Sequence, residues 1–181
     1  MSKNIMIIGA STRPERMGTA VVAWVEENLK TESPDSEIQV VDLEKLGLPF
    51  LDEPQPPMQG NYTQDHTKAW AAQVAAADGF IIVTPEYNAG YPAPLKNAID
   101  FLYAEWSEKP VAFVGYGAGP ATNSIKQLKE VTERLKMQNV EASVAIPQIW
   151  EALDDKGAIK SESVQGSIVD LIKELNTKLS N

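Results

Sequence analysis

The sequence predicts an α/β fold in which helices cover both faces of a five-stranded parallel sheet. Three observations predict it: five short apolar runs rich in β-branched residues, amphipathic segments between them, and connections long enough to hold a helix. The 181 residues are 43% hydrophobic and 23% charged, enough for one continuous core, so residues 1–181 are expected to form a single domain.

The first run, at 5–8, lacks the alternation of a half-exposed strand and so predicts a strand buried on both faces. The same holds for the runs at 38–41, 80–83, 111–114 and 144–146. Helical spacing follows the first run at Val21, Val25 and Leu29, and precedes the third at Trp70, Val74 and Ala77. It recurs at Leu95, Ile99, Leu102 and Trp106, then at Ile125, Leu128 and Leu135. A final amphipathic helix is predicted from Val164, Ile168, Leu171, Leu175 and Leu179. Two segments read as excursions over the surface: the Pro-rich stretch at 48–57 and residues 147–157. Five strands favour the flavodoxin-like order 2-1-3-4-5 in a three-layer α/β/α sandwich over a six-stranded Rossmann sheet. In that order the ligand crevice lies where the loops after strands one, three and four meet.

Composition narrows the chemistry. With 25 acidic against 16 basic residues the formal charge is −9, which argues against nucleic acid or an anionic membrane as partner. No cysteine is present and only one histidine, so disulfides, thiol catalysis and Cys/His metal sites are excluded and no metal is expected. His66 reads as an exposed first-turn helix residue without a role, and Asp154-Asp155-Lys156-Gly157 as a polar turn lacking the spacing of a calcium loop. The opening Met1-Ser2-Lys3-Asn4 leads into an apolar block too short for a signal-peptide core or a membrane span, so a cytoplasmic chain is expected.

The first crevice loop runs Gly9-Ala10-Ser11-Thr12-Arg13-Pro14-Glu15-Arg16-Met17-Gly18-Thr19 into a helix. Hydroxyls, guanidinium groups and a helix N-terminus converge there on a phosphate-sized anion site. It is neither a Walker loop, which needs Gly-Lys-Ser/Thr, nor a GxGxxG loop, because Ser11 stands at the second glycine. The second loop, Thr84 to Asn97, is stiffened by three prolines and carries Tyr87 and Tyr91 as aromatic walls. The third, Gly115-Tyr116-Gly117-Ala118-Gly119-Pro120-Ala121, allows close backbone approach to a flat ring.

A phosphate cradle beside a planar slot suits riboflavin 5′-phosphate. Ser11-Thr12-Arg13-Pro14 with Gly18, and above all Pro85-Glu86-Tyr87-Asn88-Ala89-Gly90-Tyr91-Pro92-Ala93-Pro94-Leu95-Lys96-Asn97-Ala98-Ile99-Asp100, closely resemble the NADPH-dependent FMN reductase family. The resemblance implies FMN as cofactor and NADPH or NADH as co-substrate. It implies that Ser11, Arg13, Met17, Gly18 and Thr19 hold the FMN phosphate, with Arg16 an extra cation. Pro85, Glu86, Tyr87, Asn88 and Gly90, on the family's second-loop motif, would line the ring and ribityl chain, and Tyr116, Gly117 and Ala118 match the third loop. Ala89 stands where relatives often carry histidine, serine or glycine, and Gly119-Pro120-Ala121 replaces a glycine-rich continuation.

Flavin chemistry needs no protein acid, base or nucleophile, so no catalytic side chain is expected and Glu86 is read as an orienting or ring-flanking residue. The expected activity is a ping-pong oxidoreductase passing hydride from NAD(P)H to FMN and on to a small acceptor: a flavin, quinone, azo compound or metal oxyanion. The alternatives are a flavodoxin-type electron carrier without its own NAD(P)H oxidation, and a scaffold that has lost the flavin. A response-regulator receiver is excluded, since the first loop lacks an acidic pair and the third strand ends in Thr84-Pro85. The segment at 95–106 is apolar on more than one face, which predicts contact with a second subunit. The resemblance likewise implies a homodimer, or a homotetramer built as a dimer of dimers.

Overall fold

Each apolar run lies within a strand of the computed structural model, which describes residues 2–180. The strands are β1 (Asn4–Gly9), β2 (Glu37–Asp42), β3 (Gly79–Pro85), β4 (Pro110–Tyr116) and β5 (Gln138–Ile146). They pair in parallel in the order β2-β1-β3-β4-β5, the predicted one. The expectation of burial on both faces holds at every position of β3 and β4. It fails on the edge strands, where Val40 of β2 is 42% exposed. β5 begins at Gln138 rather than at 144, because polar residues on this edge mask the strand, and its register shifts opposite Val111 and Phe113 as a bulge does.

Among the described residues, five α-helices lie between strands and a sixth follows β5: α1 (Gly18–Glu32), a single turn α2 (Leu43–Leu46), α3 (Asp65–Ala76), α4 (Ala93–Asp100), α5 (Thr122–Arg134) and α6 (Ile168–Leu179). Strand residues alternate between two cores, as the pleat requires. Ile5, Ile7, Ile81, Val83 and Val114 share one core with Val21 and Val25 of α1 and Leu171 and Leu175 of α6. Met6, Ile8, Phe80, Ile82 and Phe113 share the other with Trp70 of α3, Leu95 of α4 and Leu128 of α5.

The segment at 95–106 is not one helix. α4 stops at Asp100, and a separate 3-10 turn at Ala104–Trp106 folds the chain inward. Trp106 packs against Phe80 with ring centroids 5.0 Å apart and donates its Nε1–H to the Ile99 carbonyl at 3.2 Å. Phe101 and Leu102 are likewise buried, so the apolar surplus expected to meet a second subunit is covered within the chain. The last helix also starts later than Val164 predicts: Ser167 caps it, accepting from the Asp170 N–H at 3.1 Å.

The Pro-rich excursion is pinned down on the core side. Asn97 of α4 donates to the Pro49 carbonyl at 2.7 Å and accepts from the Leu51 N–H at 3.0 Å. Glu53 accepts from the N–H groups of Thr63 and Gln64 at the start of α3. His66 pairs with Asp52 at 2.9 Å and meets the Phe101 ring edge-on, which gives this half-buried residue a structural place. The 154–157 segment forms the expected polar turn, Asp154 accepting from the Lys156 and Ala158 N–H groups.

Candidate functional site

β1 delivers its loop to the mouth of the crevice and α1 begins at Gly18 with Met17 before it. No side chain caps α1, and its first turn holds no acidic residue, so its free N–H groups and the positive end of its dipole face outward. Ser11 is buried, its Oγ 2.8 Å from the Tyr87 hydroxyl. Tyr116 closes over the same point: a Cβ on Gly18 would overlap its hydroxyl, which explains the glycine there. Burial pushes the Tyr116 phenol up to about 12, so it remains a neutral donor.

The two arginines differ. Arg16 pairs with Asp42 at the end of β2 and lies 3.6 Å from Glu44, so the expected extra cation already has carboxylate partners. Arg13 is exposed, and among the described residues no carboxylate pairs with it.

β3 ends at Pro85, and the next residues form a tight two-residue turn. Tyr87 and Gly90 exchange backbone hydrogen bonds at 2.8 and 3.0 Å, with Asn88 and Ala89 at φ 50° and 62° between them. α5 steadies this turn, the Gln127 side chain donating to the Ala89 carbonyl at 2.8 Å. Glu86 points its carboxylate at the start of α5, accepting from the Asn123 N–H at 2.9 Å, the Asn123 side-chain amide at 3.0 Å and the Ser124 N–H at 3.2 Å. The Asn123 amide is the largest influence on Glu86; with the two N–H groups it outweighs partial burial and holds the carboxyl below its ordinary 4.5. Ser124 Oγ–H donates to the Pro85 carbonyl at 3.1 Å.

The loop after β4 passes through Gly117 at φ 153°, a conformation that disfavours any side chain. It is stitched to the loop after β5: Gly117 N–H donates to Ile146 O at 3.2 Å, and Ile149 N–H to Gly117 O at 3.1 Å. Between these loops lies a cavity of about 260 Å³. It brings together Ser11, Arg13, Arg16, Met17, Pro85, Glu86, Tyr87, Tyr116, Gly117 and Ala118 from the sequence reading, and adds Ile149 and Trp150. The latter two went unread because their excursion carries no motif; an isolated tryptophan in a polar stretch was the available signal. Gly18 and Thr19 border an adjoining hollow on the β2 side, with Arg16 and Tyr116. Asn88 borders a neighbouring hollow with Ala118 and Asn123, and Gly90 closes the turn.

Residues 3–151 match the profile of the NADPH-dependent FMN reductases. The chain belongs to that family. An NAD(P)H-dependent FMN reductase of Schizosaccharomyces pombe is 44% identical over 140 residues, 76% of this chain and 70% of that protein. Another, from Nectria sp, is 35% identical over 192 residues, covering 97% and 94% of the two chains. The flavoenzyme NAD(P)H:(acceptor) oxidoreductase of Paracoccus denitrificans superposes with a TM-score of 0.68 at 18% identity, over 98% of this chain and 96% of that one, which shows the shared flavodoxin-like fold. Membership makes the chain an FMN-dependent NAD(P)H oxidoreductase.

The reductase's residues fit that cofactor. An uncapped α1 terminus with no acidic residue in its first turn, an arginine that no carboxylate among the described residues pairs with and a buried serine hydroxyl are complementary to a phosphate dianion. Pro85 and Gly117, the latter at φ 153°, both line the cavity. The family motif divides in two: its first half builds the cavity, while Asn97 braces the excursion and Lys96 pairs with Asp100 at 2.6 Å.

Proposed function

We propose that this reductase binds FMN with its phosphate at Ser11, Arg13 and the N–H groups of Gly18 and Thr19, and its ring between Pro85–Tyr87 and Tyr116–Ala118. The observation that carries this placement is the Arg13 guanidinium, without a carboxylate partner among the described residues, on a cavity lined also by Met17, the residue before the uncapped start of α1. Arg16 lends field from beside Asp42 and does not act as a second full cation. Asn88 and Gly90 act by shaping the turn that carries Tyr87.

When bound, FMN accepts hydride from NAD(P)H and passes electrons to an acceptor. The protein's own part is to hold and orient. Arg13 and the helix terminus fix the phosphate end. Tyr116 supplies a neutral hydroxyl, and Ser11 ties Tyr87 to the first loop. Glu86, bound to α5, keeps the second and third loops at a fixed separation and moves no proton. The acceptor is a small conjugated molecule such as a quinone or azo compound, consistent with a cavity open to solvent at Tyr87 and Trp150.

The whole chain works as one domain, in the cytoplasm, as a homodimer. Phe50 and Met58, 87% and 69% exposed, support pairing, since Phe50 on the Pro-rich excursion and Met58 just after it stand beside apolar hollows formed with Leu46 and Pro94 and with Ile99 and Leu102. The test is steady-state kinetics of the FMN-loaded protein with NADPH and a benzoquinone. Parallel double-reciprocal lines support the alternating scheme; no NADPH oxidation despite FMN binding supports an electron carrier instead.

A further inference from the structure

Trp150 stands on the cavity but takes no part in its phosphate end or its ring slot. It follows Ile149, and Ala152 lies two positions on; both are buried in the core shared with α1 and α6. A turn closed by the Glu151 N–H on the Gln148 carbonyl at 2.7 Å puts Ile149 and Trp150 at its corner. Gln148, at φ 47°, donates its N–H to the Ala118 carbonyl at 3.3 Å, so the corner is fastened to the third loop. The backbone is thus held while the indole projects, 53% exposed, its Nε1–H donating to Glu151 at 3.3 Å. Trp70 and Trp106 are buried, and Trp24 is partly so. A large apolar ring held at a cavity rim and left half uncovered is suited to a ligand that comes and goes. Tyr87, the other exposed aromatic lining this cavity, is held by its hydroxyl to Ser11 of the first loop.

We infer that Trp150 is the stacking wall for the flat conjugated ring of the exchangeable ligand, coenzyme or acceptor, and not part of the resident flavin's bed. This rests on the reading of the cavity as the FMN site. Both ligands share the chemistry of a planar π system that an indole face recognises, and the alternating scheme brings them to the same mouth in turn.

The experiment compares FMN-loaded wild type, Trp150→Ala and Trp150→Phe. Three quantities are read: FMN Kd by flavin fluorescence, the Kd of NADP+ from the flavin difference spectrum without turnover, and KM against kcat for NADPH and for a benzoquinone. The expected result for Trp150→Ala is an FMN Kd within about twofold of wild type and a rise of about fivefold to tenfold in KM for one ring-bearing ligand, with kcat little changed. Trp150→Phe keeps an aromatic face and restores the KM to within about twofold. A raised NADP+ Kd and NADPH KM assign the wall to the coenzyme; a raised benzoquinone KM alone assigns it to the acceptor. An FMN Kd raised about tenfold or more overturns the inference whatever the KM values do, as does a variant with none of these quantities changed. Failure of wild-type FMN to be reduced by NADPH would instead overturn the reading of the cavity.

Discussion

Arg16 lies against Asp42 and Glu44, whereas Arg13, three positions earlier in the first loop, pairs with no carboxylate among the described residues. The sequence could not separate them, because Asp42 reaches Arg16 only through the parallel pairing of β1 with β2. Arg13→Ala is therefore expected to weaken FMN binding by about 1.5–3 kcal/mol, the range for a charge-assisted hydrogen bond, read as Kd by flavin fluorescence. An unchanged Kd would move the phosphate elsewhere. Ala89 gives a second prediction. Its φ of 62° is the conformation that L side chains resist, so Ala89→Gly is expected to raise stability by about 0.5–1 kcal/mol in urea denaturation. A lower urea midpoint would show that the turn gains more from the alanine methyl than it loses in strain.

At the scale of elements, the sheet was legible because buried parallel strands leave uninterrupted apolar runs, as at 80–83 and 111–114. The edge strand β5 was only partly legible, since half of it faces polar surroundings and its sequence includes Gln138, Asn139 and Glu141. The break after α4 was hidden for a different reason. Leu95, Ile99, Leu102 and Trp106 keep helical spacing, but Trp106 is drawn into the core by Phe80 and Trp70, which only the tertiary fold supplies. Glu86 shows the same limit: it caps a helix whose first residues lie 37 positions on, while Ala121 before that helix offers no side-chain cap. Removing this carboxylate in Glu86→Ala is expected to cost about 1–2 kcal/mol at neutral pH. The folded carboxyl titrates below its ordinary 4.5, so its stabilisation is full above that value and is lost as pH falls through the lowered one. The stability gap between wild type and Glu86→Gln should accordingly close beneath pH 4.5 in urea midpoints measured across the acid range. A gap independent of pH would mean that the charge contributes nothing to this cap.

For the whole molecule, a net charge of −9 surrounds a crevice whose mouth carries Arg13, so the site offers its anionic cofactor a local exception to the acidic surface. Exposed Phe50 lies on, and Met58 just after, the excursion that Asn97, Glu53 and His66 hold in place. Sedimentation velocity is expected to give a dimer for wild type and a smaller species for Phe50→Glu combined with Met58→Glu; a wild-type monomer would remove that assignment. The central claim is that FMN held in this cavity is reduced by NAD(P)H. Its most direct test is the visible spectrum of the FMN-reconstituted protein before and after NADPH is added without oxygen. The account predicts prompt bleaching of the bound flavin near 450 nm (roughly, for an oxidised flavin), with Arg13→Ala requiring more FMN to show it. Flavin that binds and stays oxidised, or fails to bind at all, would contradict it.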